Sequence, residues 1–214
     1  MRVITATVGP LTAQSANNIA LSQTPGAAGA LTLNGSLVSR GVAVIGNQQR
    51  ITITTSDTTN TFTINGTTPT GSQLTEVVTG NGTSVTSTQD YATVTSIIIS
   101  GAATGAVTVG TSGVGSTPWV HLDEWASSNV GIQCDVTGTV NYTVQSTYDS
   151  PNNLTNPVAT SLMTWINTND TNAVNATGPV QTNFIFAPLY VRAQLNSGTG
   201  SVTMKIIQYN VVSR

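Results

Sequence analysis

The chain has 214 residues, of which only 7% are charged, with a formal net charge of -2 and one histidine, His121. Hydrolases, transferases and metalloenzymes need several ionisable groups that converge and shift one another's pKa values. The small number of ionisable side chains argues against an enzyme. We therefore expect no catalytic residue, no cofactor and no metal site. The six lysine and arginine residues are spread along the whole chain, so no basic face for nucleic acid is expected.

Composition also predicts the fold class. Exposed helix faces are usually built from charged residues such as Glu, Lys and Arg, which are scarce here. Thr and Val favour strands, and Gly and Asn favour the turns between them. With 38% hydrophobic residues, the chain is too apolar for a disordered segment. We therefore predict an all-β protein with a packed core.

The sequence shows no export or membrane signal. Its first residues alternate apolar and polar and contain Gly9 and Pro10, unlike the apolar run of a secretory signal. No span approaches the roughly 20 apolar residues that cross a bilayer. The single Cys134 excludes an internal disulfide framework, and because it alternates in phase with Ile132 and Val136, a buried structural thiol is expected. We expect synthesis in a reducing cytoplasm and no membrane partner.

The first module is predicted over residues 1–112. Residues 1–45 are rich in Ala, Leu and Gly, with short strand candidates ALTLNG and VAVIG after a turn at Pro25. We interpret this segment as an extended arm that joins a sheet of its own module or of a neighbour. From Arg50 the alternation sharpens, and strands recur about every 8 to 12 residues, as in a sandwich. The prediction is an immunoglobulin-like sandwich behind an N-terminal arm.

A second module is predicted over residues 117–214. Gly, Ser and Pro cluster in residues 111–118, where the strand periodicity stops, so this stretch is the expected linker. Two hairpins follow, around Thr137-Gly138 and around residues 196–200. Each is an alternating strand, a Gly-containing turn and a second alternating strand. This internal similarity predicts a symmetric, jelly-roll-like sandwich.

Two segments carry a resemblance to a known class of proteins. Residues 50–111 contain FTINGT, LTEVVTG, YATVTSI and VGT, and residues 186–208 read FAPLYVRAQLNSGTGSVTMKIIQ. Both resemble segments of structural proteins from tailed bacteriophages. The resemblance implies a virion component, first of all a capsid decoration or cement protein that forms homo-oligomers and contacts the major capsid protein or other virion proteins. A neck or tail component is the alternative within this class.

A carbohydrate-binding module for host recognition is the alternative from a different class. The second module contains all three tryptophans, Trp119, Trp125 and Trp165. Aromatic side chains anchor cores and interfaces alike, and a row of exposed rings also serves as a platform for sugars. This alternative therefore predicts an exposed aromatic row.

The candidate site residues are interface residues. His121 and Asp123 share one face of a strand in PWVHLDEW. This placement is compatible with a metal site, or with a histidine general base that is oriented by a carboxylate. A zinc site needs three or four ligands, and we favour a satisfied cluster between Trp119 and Trp125. Arg50 and Arg192 each lie in an alternating strand. Each is expected to form either an ion pair with a local acid or a contact between subunits. The interface candidates are Arg50, Trp119, His121, Trp125 and Arg192.

Overall fold

The computed structural model describes residues 3–123 and 129–208, and the prediction of an all-β protein is confirmed. In this part of the chain no helix is long and apolar enough to cross a membrane. The strands in chain order are β1 Val3–Val8, β2 Ala20–Gln23, β3 Gly29–Ala30, β4 Val38–Ser39, β5 Val42–Gln49, β6 Ile51–Thr54, β7 Thr61–Thr67, β8 Gln73–Thr79, β9 Ser84–Thr86, β10 Tyr91–Ile99, β11 Val107–Thr111, β12 Gly115–Ser116, β13 Val120–His121, β14 Val130–Thr137, β15 Val140–Thr147, β16 Ile166–Asn167, β17 Val180–Phe184, β18 Tyr190–Gly198 and β19 Ser201–Gln208. Short 3-10 turns lie at Thr160–Leu162 and Thr171–Ala173.

The strands form two compact units. One, the inserted unit, is Thr12–Val114, and the other, the split unit, comprises the described residues of Met1–Leu11 and Gly115–Arg214. The chain passes between the units after Leu11 and again after Val114, and the second passage lies inside the predicted linker.

The inserted unit is an antiparallel sandwich. One sheet has the order β2-β11-β6-β9, and the other has the order β4-β5-β10-β7-β8, with β3 also on β10. If the short β3 and β4 are set aside, the remaining strands follow the orders first-eighth-third-sixth and second-seventh-fourth-fifth. This is the strand order of a jelly roll.

The split unit repeats this order. Its sheets are β1-β19-β14-β17 and β12-β18-β15-β16, with β13 also on β18. Because β12 and β13 both pair with β18, they act as one interrupted second strand, and the orders are again first-eighth-third-sixth and second-seventh-fourth-fifth. The C-terminal module therefore has the jelly-roll order that its hairpins predicted.

The N-terminal module differs from the prediction in two respects. Its order is that of a jelly roll and not of an immunoglobulin domain, because β2 and β5 enter opposite sheets as its first and second strands. Most of the predicted arm is therefore part of the sandwich. In addition, residues 3–11 belong to the other unit, since β1 pairs with β19.

Each unit has its own apolar core between its two sheets. In the inserted unit, Phe62 and Ile97 of one sheet and Ile53 and Val109 of the other belong to one buried cluster. Their neighbours along each strand point outward, as the period of two requires. The burial pattern of β7, which alternates without a break, matches the alternation of TFTINGT in the sequence.

The core of the split unit includes Cys134. The thiol is fully buried with Val144 and Met204 in the same cluster, so the predicted structural role fits its position. Burial raises the pKa of the Cys134 thiol to about 12, and the thiol therefore stays protonated at neutral pH.

A buried carboxylate ties two loops of the inserted unit together. Asp57, in the β6–β7 loop, accepts hydrogen bonds from the Thr55 hydroxyl (2.8 Å) and the Asn60 amide (2.9 Å). It also accepts from the backbone N–H and the hydroxyl of Thr104, both at 3.0 Å, in the β10–β11 loop. Burial opposes ionisation, but these donors together lower the pKa of Asp57 below its usual value.

Replacing this carboxylate should destabilise the protein. We expect Asp57→Ala to lower the free energy of unfolding by about 3 kcal/mol, because the donors of Thr55, Asn60 and Thr104 lose a charged acceptor. Since the pKa of Asp57 is lower in the folded state, its contribution is present above the unfolded pKa and is lost as the pH falls through the folded pKa. Urea unfolding of the full chain at several pH values measures both effects. Thr59→Ala, exposed in the same loop, is the control, and equal stability of the two variants would contradict the assignment.

Candidate functional site

Three of the predicted interface residues meet on the outer face of one sheet of the split unit. On β18, Val191, Ala193 and Leu195 point into the core. The alternate residues Tyr190, Arg192, Gln194 and Asn196 therefore lie on the opposite face. The facing residues of β15 and the end of β13 extend this surface, since Gln145 pairs with Arg192 and His121 pairs with Tyr190.

Arg192 lies at the centre of this face. Its Nε donates to Gln145 Oε1 at 2.9 Å, and Gln145 Nε2 donates to Asn167 Oδ1 at 3.0 Å, so one polar row crosses β18, β15 and β16. The guanidinium carbon lies 4.1 Å from the ring centre of Trp165. Although alternation places Arg192 on the outer face, only 4% of the residue is exposed.

The aromatic rings beside Arg192 pack against one another. The ring centres of Trp119 and Trp165 are 5.3 Å apart at 56°, and those of Trp119 and Tyr190 are 6.2 Å apart at 64°. His121 approaches Tyr190 at 5.0 Å and 58°. These tilted and edge-on contacts are the usual geometry of packed aromatic side chains. The rings thus form a compact cluster, and we call Trp119, His121, Trp165, Tyr190 and Arg192 the aromatic–arginine cluster.

An amide network continues the same face. The Asn196 amide donates to Asn141 Oδ1 at 2.9 Å, to the Thr143 hydroxyl at 3.0 Å and to Asn175 Oδ1 at 3.2 Å. It also accepts from Gln194 Nε2 at 2.9 Å. These neutral groups satisfy one another, so this part of the face is polar without carrying charge.

The cluster connects a long loop to the sheet. Trp165 belongs to the segment between β15 and β17, while Arg192 and Tyr190 belong to β18. Thr168 N–H also donates to Val144 O at 3.0 Å. The cation–π contact and the ring packing therefore hold this connection on the outer face of the sheet.

The acidic neighbours of His121 do not form a metal site with it in the described residues. Asp123 N–H donates to Gln208 Oε1, and Gln208 Nε2 donates to Asp123 O, both at 2.9 Å. Across residues 3–123 and 129–208, no three His, Cys, Asp or Glu side chains come close enough to hold a metal ion. Glu124 and Trp125, which the sequence placed in this cluster, lie outside the described residues.

Arg50 belongs to the inserted unit, whereas the aromatic–arginine cluster belongs to the split unit. It joins β5 to β6, and its N–H donates to Val114 O at 2.8 Å. Its Nε lies 3.8 Å from Asp90 Oδ1, a local acid of the kind the sequence suggested. The described members of the predicted interface set are therefore divided between the two units.

A second surface of interest lies on β8, β7 and β10 of the inserted unit, and we call it the hydroxyl face. Its Thr67 and Thr93 hydroxyls are 2.7 Å apart, the Thr75 hydroxyl donates to Asn65 Oδ1 at 2.9 Å, and the Asn65 amide donates to Ser96 Oγ at 3.0 Å. None of the residues that define it is charged. They are Thr61, Thr63, Asn65, Thr67, Gln73, Thr75, Val77, Thr79, Thr93, Ser96 and Ile98.

Two exposed apolar side chains lie on the hydroxyl face, one on each side of its central strand β7. Val77 pairs with Thr63, and Thr63 pairs with Ile98, so the three residues form one row across three strands. Val77 is 60% exposed and Ile98 is 41% exposed. Protein interfaces likewise combine exposed apolar side chains with uncharged polar groups.

The sequence did not single out the hydroxyl face, and it did not place Trp165 beside Arg192. Trp165 had no strand pattern around it, so nothing indicated which surface it would cover. The hydroxyl face could have been found in the sequence, because Thr61, Thr63, Asn65 and Thr67 occupy every second position of β7.

Comparison of the chain with protein-family models, with curated proteins and with solved structures finds no match.

The packing of Arg192 can be tested directly. We expect Arg192→Lys to lower the free energy of unfolding by about 1 to 2 kcal/mol, because lysine loses the planar contact with Trp165 and the hydrogen bond to Gln145. Chemical unfolding followed by tryptophan fluorescence measures this loss. Arg40→Lys, at an exposed position, should leave stability unchanged. Equal stability of both variants would show that the contact with Trp165 contributes nothing.

Proposed function

We propose that the chain is a non-enzymatic structural protein of a bacteriophage virion, a decoration or cement protein that strengthens the capsid. It is made in the cytoplasm of the bacterial host. Its partners are the major capsid protein, or another virion protein, and further copies of itself. The observation that carries the proposal is the hydroxyl face, an uncharged surface with Val77 and Ile98 exposed in one row across its three strands.

The hydroxyl face suits permanent burial against a neighbour. Burying a polar group is unfavourable unless it keeps its hydrogen bonds. The Thr67–Thr93 and Thr75–Asn65 pairs keep theirs within the sheet, so water can leave at little cost. Identical uncharged faces can also be packed densely without the repulsion that like charges would build up.

The segments that resemble phage proteins lie in both sandwiches. Residues 50–111 run from the start of β6 to the end of β11, and residues 186–208 contain the β18–β19 hairpin. The resemblance therefore involves strands from both sheets of each unit. Jelly rolls serve in viral capsid domains and also in lectins, so the fold agrees with the proposal by analogy and does not decide it.

Exposed apolar residues of the split unit provide further contact area. They concentrate in two segments, 148–166 and 185–186, where Leu154 and Phe186 are the most exposed. The exposed apolar residues of these two segments are Tyr148, Leu154, Leu162, Ile166, Ile185 and Phe186. Many modest contacts of this kind, repeated over a particle, give effectively permanent attachment.

Counting copies on purified particles tests the proposal. A phage that lacks the gene is complemented with the wild-type chain, with Val77→Asp or with Leu21→Asp, and copies are counted by densitometry against the major capsid protein. We expect hundreds of wild-type copies and at least about a tenfold loss for Val77→Asp, because an aspartate buried in an apolar contact is strongly unfavourable. Leu21 is 45% exposed on β2, in the other sheet of the same unit, and its variant should bind normally.

The count also separates the alternatives. About six or twelve wild-type copies would place the protein at a symmetric neck or tail and would refute the decoration role. Equal occupancy by Val77→Asp and the wild type would refute the role of the hydroxyl face. The folding of each variant is checked by its unfolding transition, so that a loss of copies is not a loss of folded protein.

A further inference from the structure

The first strand of the split unit is separated from the rest of that unit by a complete second sandwich. β1 ends at Val8, and the unit resumes only at Gly115, after the inserted unit Thr12–Val114. In the inserted unit, by contrast, the first strand β2 leads to β5 through residues 24–41 of the same sandwich. The connection from the first to the second strand is therefore 18 residues long in the inserted unit and contains a whole sandwich in the split unit.

β1 is nevertheless essential to the sandwich that it completes. It pairs with β19 from Val3↔Ile207 to Val8↔Val202 in an antiparallel register without a shift. Ala6 and Val8 are buried in the core, and Ile4 packs against it. Without β1, the edge of β19 and the side of the core beside it would be open to water, which is an aggregation hazard for any sheet.

We propose that in the assembled oligomer β1 of one copy completes the split unit of a second copy. The inference rests on the proposed function, since it requires a homo-oligomer, and it names the partner as the β19 edge of an identical chain. The exchanged strand makes the same pairs with β19 and buries the same three side chains as the strand of the same chain.

The balance between the two arrangements follows from connectivity. Because the contacts are identical, the free-energy difference lies in the passage from the split unit to the inserted unit, which follows Leu11, and in the local concentration of other copies. Exchange of an identical element between protomers is a low-cost route to oligomers, and short connections at the hinge favour it. Dense repetition on a particle surface raises the effective concentration of neighbouring copies.

A disulfide across the β1–β19 pair distinguishes the two arrangements. Thr7 and Thr203 are direct partners, with their hydroxyl oxygens 3.0 Å apart, so cysteines at these positions fall within disulfide reach. The full chain with Thr7→Cys and Thr203→Cys is oxidised under native conditions and run on a denaturing gel without reductant. Exchange predicts covalent oligomers, with at least half of the chains lost from the monomer band, and reductant restores the monomer.

Two features of the chain keep the readout clear. Cys134 is fully buried, so it does not compete for oxidation in the folded protein. Val3→Cys with Thr203→Cys is the matched control, because Val3 pairs with Ile207 and lies four residues out of register with Thr203. This control should remain monomeric on the same gel.

Every result of this experiment decides the proposal. A monomeric band with an internal disulfide, or free thiols at both positions, overturns the exchange, and so do covalent oligomers of the register control in equal amount. Light scattering of the wild-type chain is measured in parallel. An oligomer whose disulfides are all internal would reject the exchange while leaving the proposed function intact, whereas a low copy number on particles would reject the function independently.

Discussion

The structure depends on one constraint: a chain with few charges must satisfy the polar groups of two sandwiches with its own hydroxyls and amides. The buried carboxylates show this most clearly, because hydroxyl, amide and backbone groups donate hydrogen bonds to them. Asp57 takes four donors from three residues. Glu76, also buried, accepts from the N–H and hydroxyl of Thr88 and from the N–H of Gln89. A buried charge without such donors would be strongly unfavourable.

The same constraint shapes the surfaces. On the hydroxyl face, Thr67 and Thr93 pair with each other, and on the split unit the Asn196 amide is shared among Asn141, Thr143 and Asn175. Such faces do not depend on water for their hydrogen bonds. Association through them therefore relies on apolar contact and shape, and weakly on charge.

The sequence predicted the fold class, the second sandwich and the burial of Cys134, because each of these depends on the alternation of apolar and polar residues along the strands. It did not recognise β2, the first strand of the inserted unit, since β2 is only four residues long and its flanks are rich in Gly and Ala. Nor could it assign β1 to the split unit. The alternation of VITATV indicates a strand, but its partner β19 lies at the other end of the sequence, and local periodicity holds no information about long-range pairing.

The candidate residues show the same division. Trp119, His121 and Arg192 meet because β13 and β18 are paired, which follows from two predicted strands of one module. Trp165 joins them from a connection without periodicity, so only the folded chain reveals that it covers Arg192. Arg50 lies in the inserted unit, because it is the single residue between β5 and β6 of that unit.

The account's central claim is that the chain adheres to its particle through uncharged faces, and the salt dependence of attachment tests it most directly. Contacts between exposed charges weaken as ionic strength rises, whereas apolar contacts do not. The number of copies retained on purified particles should be the same after washing in about 0.05 M and about 1 M NaCl. A fall of about tenfold in the high-salt wash would show that charge pairs hold the protein in place and would contradict the account.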